Sequence, residues 1–166
     1  MNRIQAAVII TVFVLFGACS GPGGKGEVET MEGGAPDFTL PAVDGSMVKL
    51  SDYEGKVIMV DFWATWCPPC QEMLPVLSKL HKRFSMEGLV ILGVSLDQEG
   101  LGLLGPYVYE NRIPYKVLMG NDEVKKGFGV TSIPTLFMID REGRLVRKMM
   151  GFHSYGELEG QLKKYL

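Results

Sequence analysis

The sequence predicts one α/β domain in which a mixed β-sheet is flanked by helices. Short apolar runs with strand character alternate with longer segments of helical spacing, in the order β-β-β-α-β-α-β-α-β-β-α. The length of 166 residues leaves room for one domain of ordinary size. A hydrophobic content of 46% with 22% charged residues is typical of a globular protein, and a net charge of −2 gives no electrostatic reason to expect a nucleic acid partner.

Residues 1–18 are predicted to be an export signal. Arg3 precedes an apolar run over residues 6–16, which is too short to span a bilayer securely because about 20 residues are needed. Small residues then lead into Cys19, which resembles a bacterial lipoprotein box, where the signal is cleaved before a cysteine that carries the lipid. The alternative is an uncleaved signal anchor with an incidental cysteine. Both interpretations place the rest of the chain outside the cytoplasm, attached to a membrane.

Residues 19–34 are predicted to be the lipidated cysteine and a flexible tether, because they hold six glycines, one proline and few apolar side chains. The folded domain is then expected over residues 35–166. If Cys19 carries a lipid, Cys67 and Cys70 are the two free thiols of an exported protein.

The domain begins with a predicted β-hairpin and a central strand. Residues 37–40 and 47–50 alternate apolar and polar side chains on either side of an Asp-Gly turn. Residues 57–62 form an apolar run that only Asp61 interrupts, which is typical of a strand covered on both faces.

The rest of the domain alternates helices with strands. Residues 68–84 show helical spacing, with one apolar face made by Met73, Leu74, Leu77 and Leu80. Further helices are predicted over residues 98–112, 122–128 and 154–166, and further strands over residues 89–95, 115–119, 135–139 and 145–150. Glycines and a proline weaken the first of these helices, whereas a capping box at Ser154 supports the last.

The chemistry is expected at Trp66-Cys67-Pro68-Pro69-Cys70, where a strand gives way to a helix. Two cysteines separated by two residues can reach disulfide geometry within one helical turn. Cys67 would lie at the helix N-terminus, where free backbone N–H groups and the helix dipole stabilise a thiolate. The two prolines suit the first turn, since their missing N–H groups would have no helical partner there. Cys67 is therefore the candidate nucleophile and Cys70 the resolving thiol.

Three other interpretations of the cysteine pair compete with redox chemistry. A zinc site needs further ligands, but the chain has no second Cys-x-x-Cys and only two histidines, His81 and His153. Covalent haem attachment needs a histidine after the second cysteine, where this chain has Gln71. An inert structural disulfide is disfavoured because the pair opens a helix directly after a buried strand.

Asp61 is a candidate catalytic residue. A carboxyl group in the middle of an apolar strand is costly to bury. It could face solvent at a sheet edge, or it could be buried behind the cysteines with a raised pKa and accept the proton of Cys70. We favour the second interpretation because the strand leads into the motif six residues later.

Pro134 precedes the predicted strand over residues 135–139. Proline is tolerated at the start of a strand, so a plain loop proline is one interpretation. The other is a cis-proline that lies against the disulfide and offers the backbone of Ile133 to a substrate chain.

Two segments together resemble the thioredoxin superfamily, namely VDFWATWCPPC over residues 60–70 and Ile133-Pro134-Thr135. GAPDFTLP over residues 34–41 and VTSIPTLFMID over residues 130–140 are similar to the membrane-tethered TlpA/ResA-like branch of that superfamily. The resemblance covers nearly all of the chain after the tether. It implies a thioredoxin-like sandwich with an N-terminal hairpin and a central insertion over residues 100–119, and an extracytoplasmic thiol-disulfide oxidoreductase.

The resemblance also implies roles for the residues of the motif. Cys67 attacks, Cys70 resolves and Pro134 is a cis-proline. The disulfide is the redox group, so neither a cofactor nor a metal is expected. The residues expected to contact substrate are Trp66, Pro68, Ile133 and Pro134, and those expected to support the site are Trp63 and Pro69.

Two positions differ from the relatives of this branch that act in cytochrome c maturation. Those relatives usually carry Glu three residues after the second cysteine, where this chain has Met73, and Glu72 is one position early on a different helix face. This chain has Asp61, as cytoplasmic thioredoxins have, where those relatives often have Asn. Proton handling is therefore expected to follow the general thioredoxin pattern.

The expected function is reduction of disulfides in exported proteins by a lipid-anchored monomer, with apocytochrome c maturation as a narrower form of it. Electrons would come from a thiol-disulfide donor in the membrane, since no flavin or nicotinamide motif is present. The alternatives are a disulfide oxidase or isomerase and a non-enzymatic copper- or metal-binding redoxin. A peroxidase is disfavoured because Thr65 lies two residues before Cys67, which does not fit a Thr-x-x-Cys motif.

Overall fold

A computed structural model describes residues 26–166, and all structural statements refer to that part of the chain. Its strands are β1 Glu27–Thr30, β2 Thr39–Pro41, β3 Met47–Lys49, β4 Val57–Trp63, β5 Leu89–Ser95, β6 Lys116–Met119, β7 Thr135–Ile139 and β8 Leu145–Met150. Its α-helices are α1 Pro68–Phe84, α2 Leu101–Glu110, α3 Asp122–Gly127 and α4 Tyr155–Leu162. Single turns of 3₁₀-helix span Leu50–Tyr53 and Ser85–Glu87.

The described strands form a six-stranded mixed sheet and a separate hairpin. The sheet has the order β1-β8-β7-β4-β5-β6, and β2 pairs with β3 in the hairpin. Strands β4, β5 and β6 run parallel, whereas β7, β8 and β1 pair antiparallel with their neighbours. All seven residues of β4 are buried, because this strand lies at the centre with layers on both faces. The predicted mixed sheet flanked by helices is confirmed.

One face of the sheet is covered by α1, α2 and α4. The apolar core on that face joins Met59 and Trp63 of β4 to Cys70 of α1, Leu104 of α2 and Leu158 of α4. Successive side chains of a strand point to opposite faces, so the odd-numbered residues of β4 face these helices. The C-terminal end of β4 therefore delivers the chain directly to the start of α1.

The hairpin and α3 cover the opposite face. The apolar core there includes Leu40 and Val48 of the hairpin and Phe62 of β4. The ring of Phe128, just after α3, lies 5.3 Å from that of Phe62 and 5.1 Å from that of Phe137. The even-numbered residues of β4 are held by this aromatic cluster, which makes β4 a rigid base for the residues that follow it.

The structure corrects the sequence prediction over residues 27–30. These residues lie within the predicted flexible tether, but they form β1 and pair with β8, with Thr30 opposite Arg147. Their one aliphatic residue, Val28, is still 43% exposed, so the strand depends on backbone pairing with a free sheet edge. A segment held in this way carries no hydrophobic pattern from which to predict a strand.

The predicted signal over residues 1–18 and the lipidation site Cys19 lie outside the described residues. From residue 26 onward, none of the helices combines the length and the apolar character needed to cross a bilayer. The last helix has the predicted capping box, in which Ser154 and Glu157 bond each other's backbone N–H groups. That helix ends at Leu162 rather than at the predicted residue 166.

Candidate active site

Cys67 and Cys70 form a disulfide at the start of α1. Cys67 is the N-cap residue with extended backbone angles (φ −96°, ψ 106°), and Cys70 lies in the first turn with a Cα–Cα distance of 5.2 Å between the two. Pro68 and Pro69 occupy the first two helical positions and have no N–H to offer. The Cys70 N–H is therefore the first-turn donor left to stabilise a thiolate at Cys67, together with the helix dipole.

The two cysteines differ little in exposure, and the surface around them is uneven. Cys67 is 4% exposed and Cys70 is fully buried. Trp66, by contrast, is 64% exposed, and Pro68 is exposed beside it. A large exposed aromatic ring next to a nucleophile is a natural contact for a partner chain, which is the role that the sequence analysis expects of Trp66.

Asp61 lies behind the cysteines in the middle of β4. It is 1% exposed, and neither carboxylate oxygen has a hydrogen-bond partner. As an odd-numbered residue of β4 it points to the same face as Trp63, toward the core that contains Cys70. Burial raises the pKa of Asp61 to about 7. The carboxyl group can therefore exchange a proton near neutral pH, and it lies on the side from which Cys70 would release one.

Aromatic groups surround Asp61 within its sheet. Its register partner on β5 is Gly93, and the absence of a side chain there lets the rings of Trp63 and Tyr115 lie over the strand. The phenol oxygen of Tyr115 is buried, and its pKa is raised, first by burial and then by the Asp61 carboxylate. Trp63 also packs on Tyr107, with 5.6 Å between ring centroids. The site is thus walled by rings that exclude water from the carboxyl group.

We expect Gly93→Ala to disturb this arrangement. A methyl group there would lie 3.1 Å from Trp63 Nε1 and 3.3 Å from Tyr115 Cε2, so both rings must move. The overpacking is expected to lower the free energy of unfolding by about 1–3 kcal/mol and to change the near-ultraviolet circular dichroism. Urea unfolding measures the first effect.

Gly102→Ala is the matched control for that experiment. It adds the same methyl group at an exposed position of α2 with nothing within 4 Å. The free energy of unfolding is expected to stay the same or to rise by less than about 1 kcal/mol. If Gly93→Ala and Gly102→Ala lowered the free energy of unfolding equally, the rings over Gly93 would not be closely packed.

The peptide bond between Ile133 and Pro134 is cis. The antiparallel register pairs Phe62 with Thr135, so Pro134 comes opposite Trp63 at the end of β4. Its carbonyl accepts the Gly151 N–H at 2.9 Å, and Ile133 packs against the core cluster that includes the two cysteines. The fold therefore brings the Ile133-Pro134 loop to the same end of the sheet as the disulfide.

Met73 and Glu72 occupy different environments on α1. Met73 is fully buried, one turn after Cys70, and its sulfur accepts the backbone N–H of His153 at 3.4 Å. Glu72 is exposed to solvent. The Glu72 carboxylate therefore lies at the surface and not in the buried position behind the disulfide, which Met73 occupies.

Three polar residues organise this site in a way that the sequence motifs did not indicate. Asp97 follows β5 and is 2% exposed, Thr65 lies between β4 and α1, and Gln71 lies in α1. Asp97 accepts hydrogen bonds from Thr65, and Gln71 donates to the Thr65 carbonyl. The available signal was the position of Asp97, since polar residues just beyond the carboxyl ends of neighbouring parallel strands commonly line sites.

A buried strand that delivers a Cys-Pro-Pro-Cys disulfide to the first turn of a helix, opposite a cis-proline, defines a thioredoxin-like thiol-disulfide oxidoreductase. The model of the AhpC/TSA family matches residues 32–148, and the chain belongs to this family. The redox group is the Cys67–Cys70 pair itself.

Known proteins similar to this chain carry matching names. Thiol-disulfide oxidoreductase ResA of Bacillus thuringiensis subsp. konkukian is 31% identical over an alignment that covers 98% of this chain and 96% of the relative. A putative thiol:disulfide interchange protein DsbE from Chlorobium tepidum is 30% identical with a TM-score of 0.76, covering 84% of this chain and 99% of that structure. The pneumococcal exposed lipoprotein thioredoxin Etrx1 from Streptococcus pneumoniae is 30% identical with a TM-score of 0.70, covering 78% and 99%. The chain is thus a thiol-disulfide oxidoreductase of the ResA/DsbE type.

Proposed function

We propose that this protein reduces disulfides of exported proteins at the outer face of a membrane, where a lipid on Cys19 holds it as a monomer. The observation that carries the proposal is the cysteine pair at the start of α1 with the buried Asp61 carboxyl group behind it, which has no hydrogen-bond partner and whose pKa of about 7 suits a proton acceptor. Reducing electrons reach the pair from a thiol-disulfide donor in the membrane, because the chain has no motif for a nicotinamide or flavin.

The chemistry runs through one mixed disulfide. The Cys67 thiolate attacks a substrate disulfide, which forms a Cys67–substrate bond and releases one substrate thiolate. Cys70 then gives its proton to the Asp61 carboxylate and attacks the Cys67 sulfur. The Cys67–Cys70 disulfide forms and the second substrate thiol leaves, so two electrons have passed to the substrate. The membrane donor restores the dithiol by the same exchange in the opposite direction.

The substrate chain is proposed to lie between Trp66 and the Ile133-Pro134 loop. Trp66 offers an exposed ring, Pro68 lies beside it, and the half-buried Ile133 has a backbone that a strand-like segment can pair with. Trp63 is buried and supports this surface from inside the fold, whereas Pro69 is exposed in the first turn of α1, where its ring restricts the backbone between the two cysteines.

The proposed location rests on the first 19 residues. A basic residue, an apolar run and small residues before Cys19 are typical of an exported lipoprotein, and one structural neighbour is named an exposed lipoprotein thioredoxin. A role confined to apocytochrome c is not proposed, because buried Met73 stands where relatives in that pathway carry a glutamate.

We expect the reduction potential of the Cys67–Cys70 pair to lie near or below about −220 mV, in the range of thioredoxin and glutaredoxins. A dithiol can reduce a substrate disulfide only if its own reduction potential is lower than that of the substrate pair. The measurement equilibrates the full-length chain in detergent with glutathione or dithiothreitol buffers and follows tryptophan fluorescence.

A potential above about −150 mV would instead make the protein a disulfide donor, and the proposed direction would be wrong. The copper- or metal-binding alternative has a separate test, which is titration of the reduced protein with Cu(I). Across residues 26–166 no three Cys, His, Asp or Glu side chains lie together in a way that could hold a metal ion. Stoichiometric tight binding that protects both thiols would favour that alternative.

A further inference from the structure

Asp97 is a buried carboxylate that the disulfide exchange does not use. It lies just past the carboxyl end of β5 and is 2% exposed. Its two oxygens lie 3.0 and 3.2 Å from the Thr65 backbone nitrogen, and one of them accepts the Thr65 hydroxyl at 2.7 Å. The Ser95 hydroxyl donates to the other at 2.6 Å. A buried carboxylate is tolerated because these donors satisfy it.

Thr65 is held on its other side as well. The link between β4 and α1 comprises residues 64–66, and the Thr65 carbonyl accepts the Gln71 side-chain amide at 2.6 Å. Within the same link the Cys67 N–H donates to the Ala64 carbonyl at 3.2 Å. The conformation of Thr65 therefore determines where the chain enters α1, and Asp97 is its main anchor.

We propose that Asp97 is a positioning residue for the dithiol, which holds Thr65 and thereby keeps Cys67 at the N-terminus of α1 in the reduced protein. This inference rests on the dithiol chemistry of the proposed function. In the oxidised protein the bond to Cys70 holds Cys67 against the helix. In the reduced protein that bond is absent, and the link through Thr65 places the Cys67 sulfur.

Placement matters here because the helix offers few donors. Pro68 and Pro69 remove two of the N–H groups that a helix start usually presents. What remains is the Cys70 N–H and the helix dipole, and both act only within about the first turn. A Cys67 side chain that drifts from the N-cap position loses this stabilisation, so its thiol pKa rises.

The charge of Asp97 alone would act in the opposite direction. A negative charge near a thiolate disfavours the thiolate, so its removal would lower the thiol pKa of Cys67. The pKa of Tyr107 in α2 is raised first by burial and then by the charge of Asp97. For Asp97→Asn, loss of positioning therefore predicts a higher thiol pKa of Cys67, whereas loss of the negative charge predicts a lower one. Thr65→Val removes the hydroxyl bond but leaves the charge in place.

The test compares Asp97→Asn and Thr65→Val with the wild type, using the full-length reduced chain in detergent. Thr65→Ser is the matched control because it keeps the hydroxyl group that Asp97 accepts. One readout is the thiolate fraction of Cys67 from ultraviolet absorbance against pH, and the other is the equilibrium constant with glutathione. Urea unfolding of the oxidised variants separates positioning from loss of the fold.

We expect Asp97→Asn and Thr65→Val each to lower the thiolate fraction of Cys67 at neutral pH by about fivefold. This is the change in an equilibrium constant that the loss of one typical hydrogen bond produces. The glutathione equilibrium should shift toward the protein disulfide by a similar factor, and Thr65→Ser should match the wild type. Wild-type values in Thr65→Val would overturn the proposal, as would a higher thiolate fraction in Asp97→Asn. The glutathione equilibrium constant of the wild type tests the proposed direction of the reaction, whereas the differences between the variants and the wild type test the role of Asp97. A failure of the proposed function is therefore distinguishable from a failure of this inference.

Discussion

Replacing Cys67 with serine is expected to abolish disulfide reduction, with a loss of at least about a thousandfold in kcat/KM. Cys67 is the residue at the N-cap of α1 and the one beside the exposed Trp66, whereas Cys70 is fully buried in the first turn. Cys67 is the slightly more exposed of the two, so we expect a substrate sulfur to meet it first. Reduction of insulin, followed by turbidity, measures the loss.

Cys70→Ser separates the two cysteines. It keeps the thiol proposed to attack and removes the one proposed to resolve, so the first exchange should proceed and stop. We expect a mixed disulfide between Cys67 and the substrate that accumulates on non-reducing gels and is identified by mass spectrometry. Accumulation of that species in Cys67→Ser instead would reverse the assignment of the two roles.

Replacing Asp61 with asparagine is expected to stabilise the protein above neutral pH. The pKa of Asp61 is raised from 3.8 to about 7 by burial, so the folded state binds the proton more tightly than the unfolded state. Ionisation of buried Asp61 lowers the free energy of unfolding. This loss is absent below pH 4, grows between pH 4 and 7, and is complete above pH 7. The rise of the pKa from 3.8 to about 7 corresponds to a loss of about 4 kcal/mol. An asparagine side chain does not ionise, so the variant has no such loss.

Urea unfolding at pH 4 and at pH 8.5 measures this difference. The gain of Asp61→Asn over the wild type should be large at the higher pH and small at the lower one. The matched control is Asp52→Asn, which removes a carboxylate from an exposed turn and should change the free energy of unfolding by no more than about 0.5 kcal/mol at either pH. A gain independent of pH would contradict a buried, titrating carboxyl group.

The same substitution should slow the enzyme. In the proposed mechanism the Asp61 carboxylate accepts the Cys70 proton, so the rate of the resolving step should rise with pH through about 7 in the wild type. In Asp61→Asn the rate should fall by about a hundredfold and lose that inflection. Stopped-flow tryptophan fluorescence during mixed-disulfide resolution reports both effects. An unchanged pH profile would assign the proton to another group.

Much of the fold and the core of the site could be predicted because the signals are local in the sequence. Helix α1 spans Pro68–Phe84, as its apolar spacing and its prolines predict. Strand β4 is buried along its whole length, as its near-continuous apolar run predicts. The Cys-x-x-Cys spacing already places both sulfurs within one turn.

Features that depend on contacts between distant parts of the chain could not be predicted from the sequence pattern. Strand β1 has one aliphatic residue, Val28, and forms because the edge of β8 is free to pair with it. The position of Asp97 after β5 is a sequence signal, but its contact with Thr65 could not be predicted because the two residues are 32 positions apart in the chain. His153 lies in the loop before α4, and its burial depends on the sulfur of Met73, which is 80 residues away in the chain.

The sequence by itself determined the chemistry of this protein: two thiols at a helix start, with a carboxyl group in the strand before them. Side-chain type and spacing suffice for that, because both act within a few residues. Tertiary structure alone decided the environment of those groups. The pKa of Asp61 is raised to about 7 because helices and rings from distant segments remove water from it. The link before Cys67 is held by Asp97 because parallel strands end side by side at one edge of the sheet.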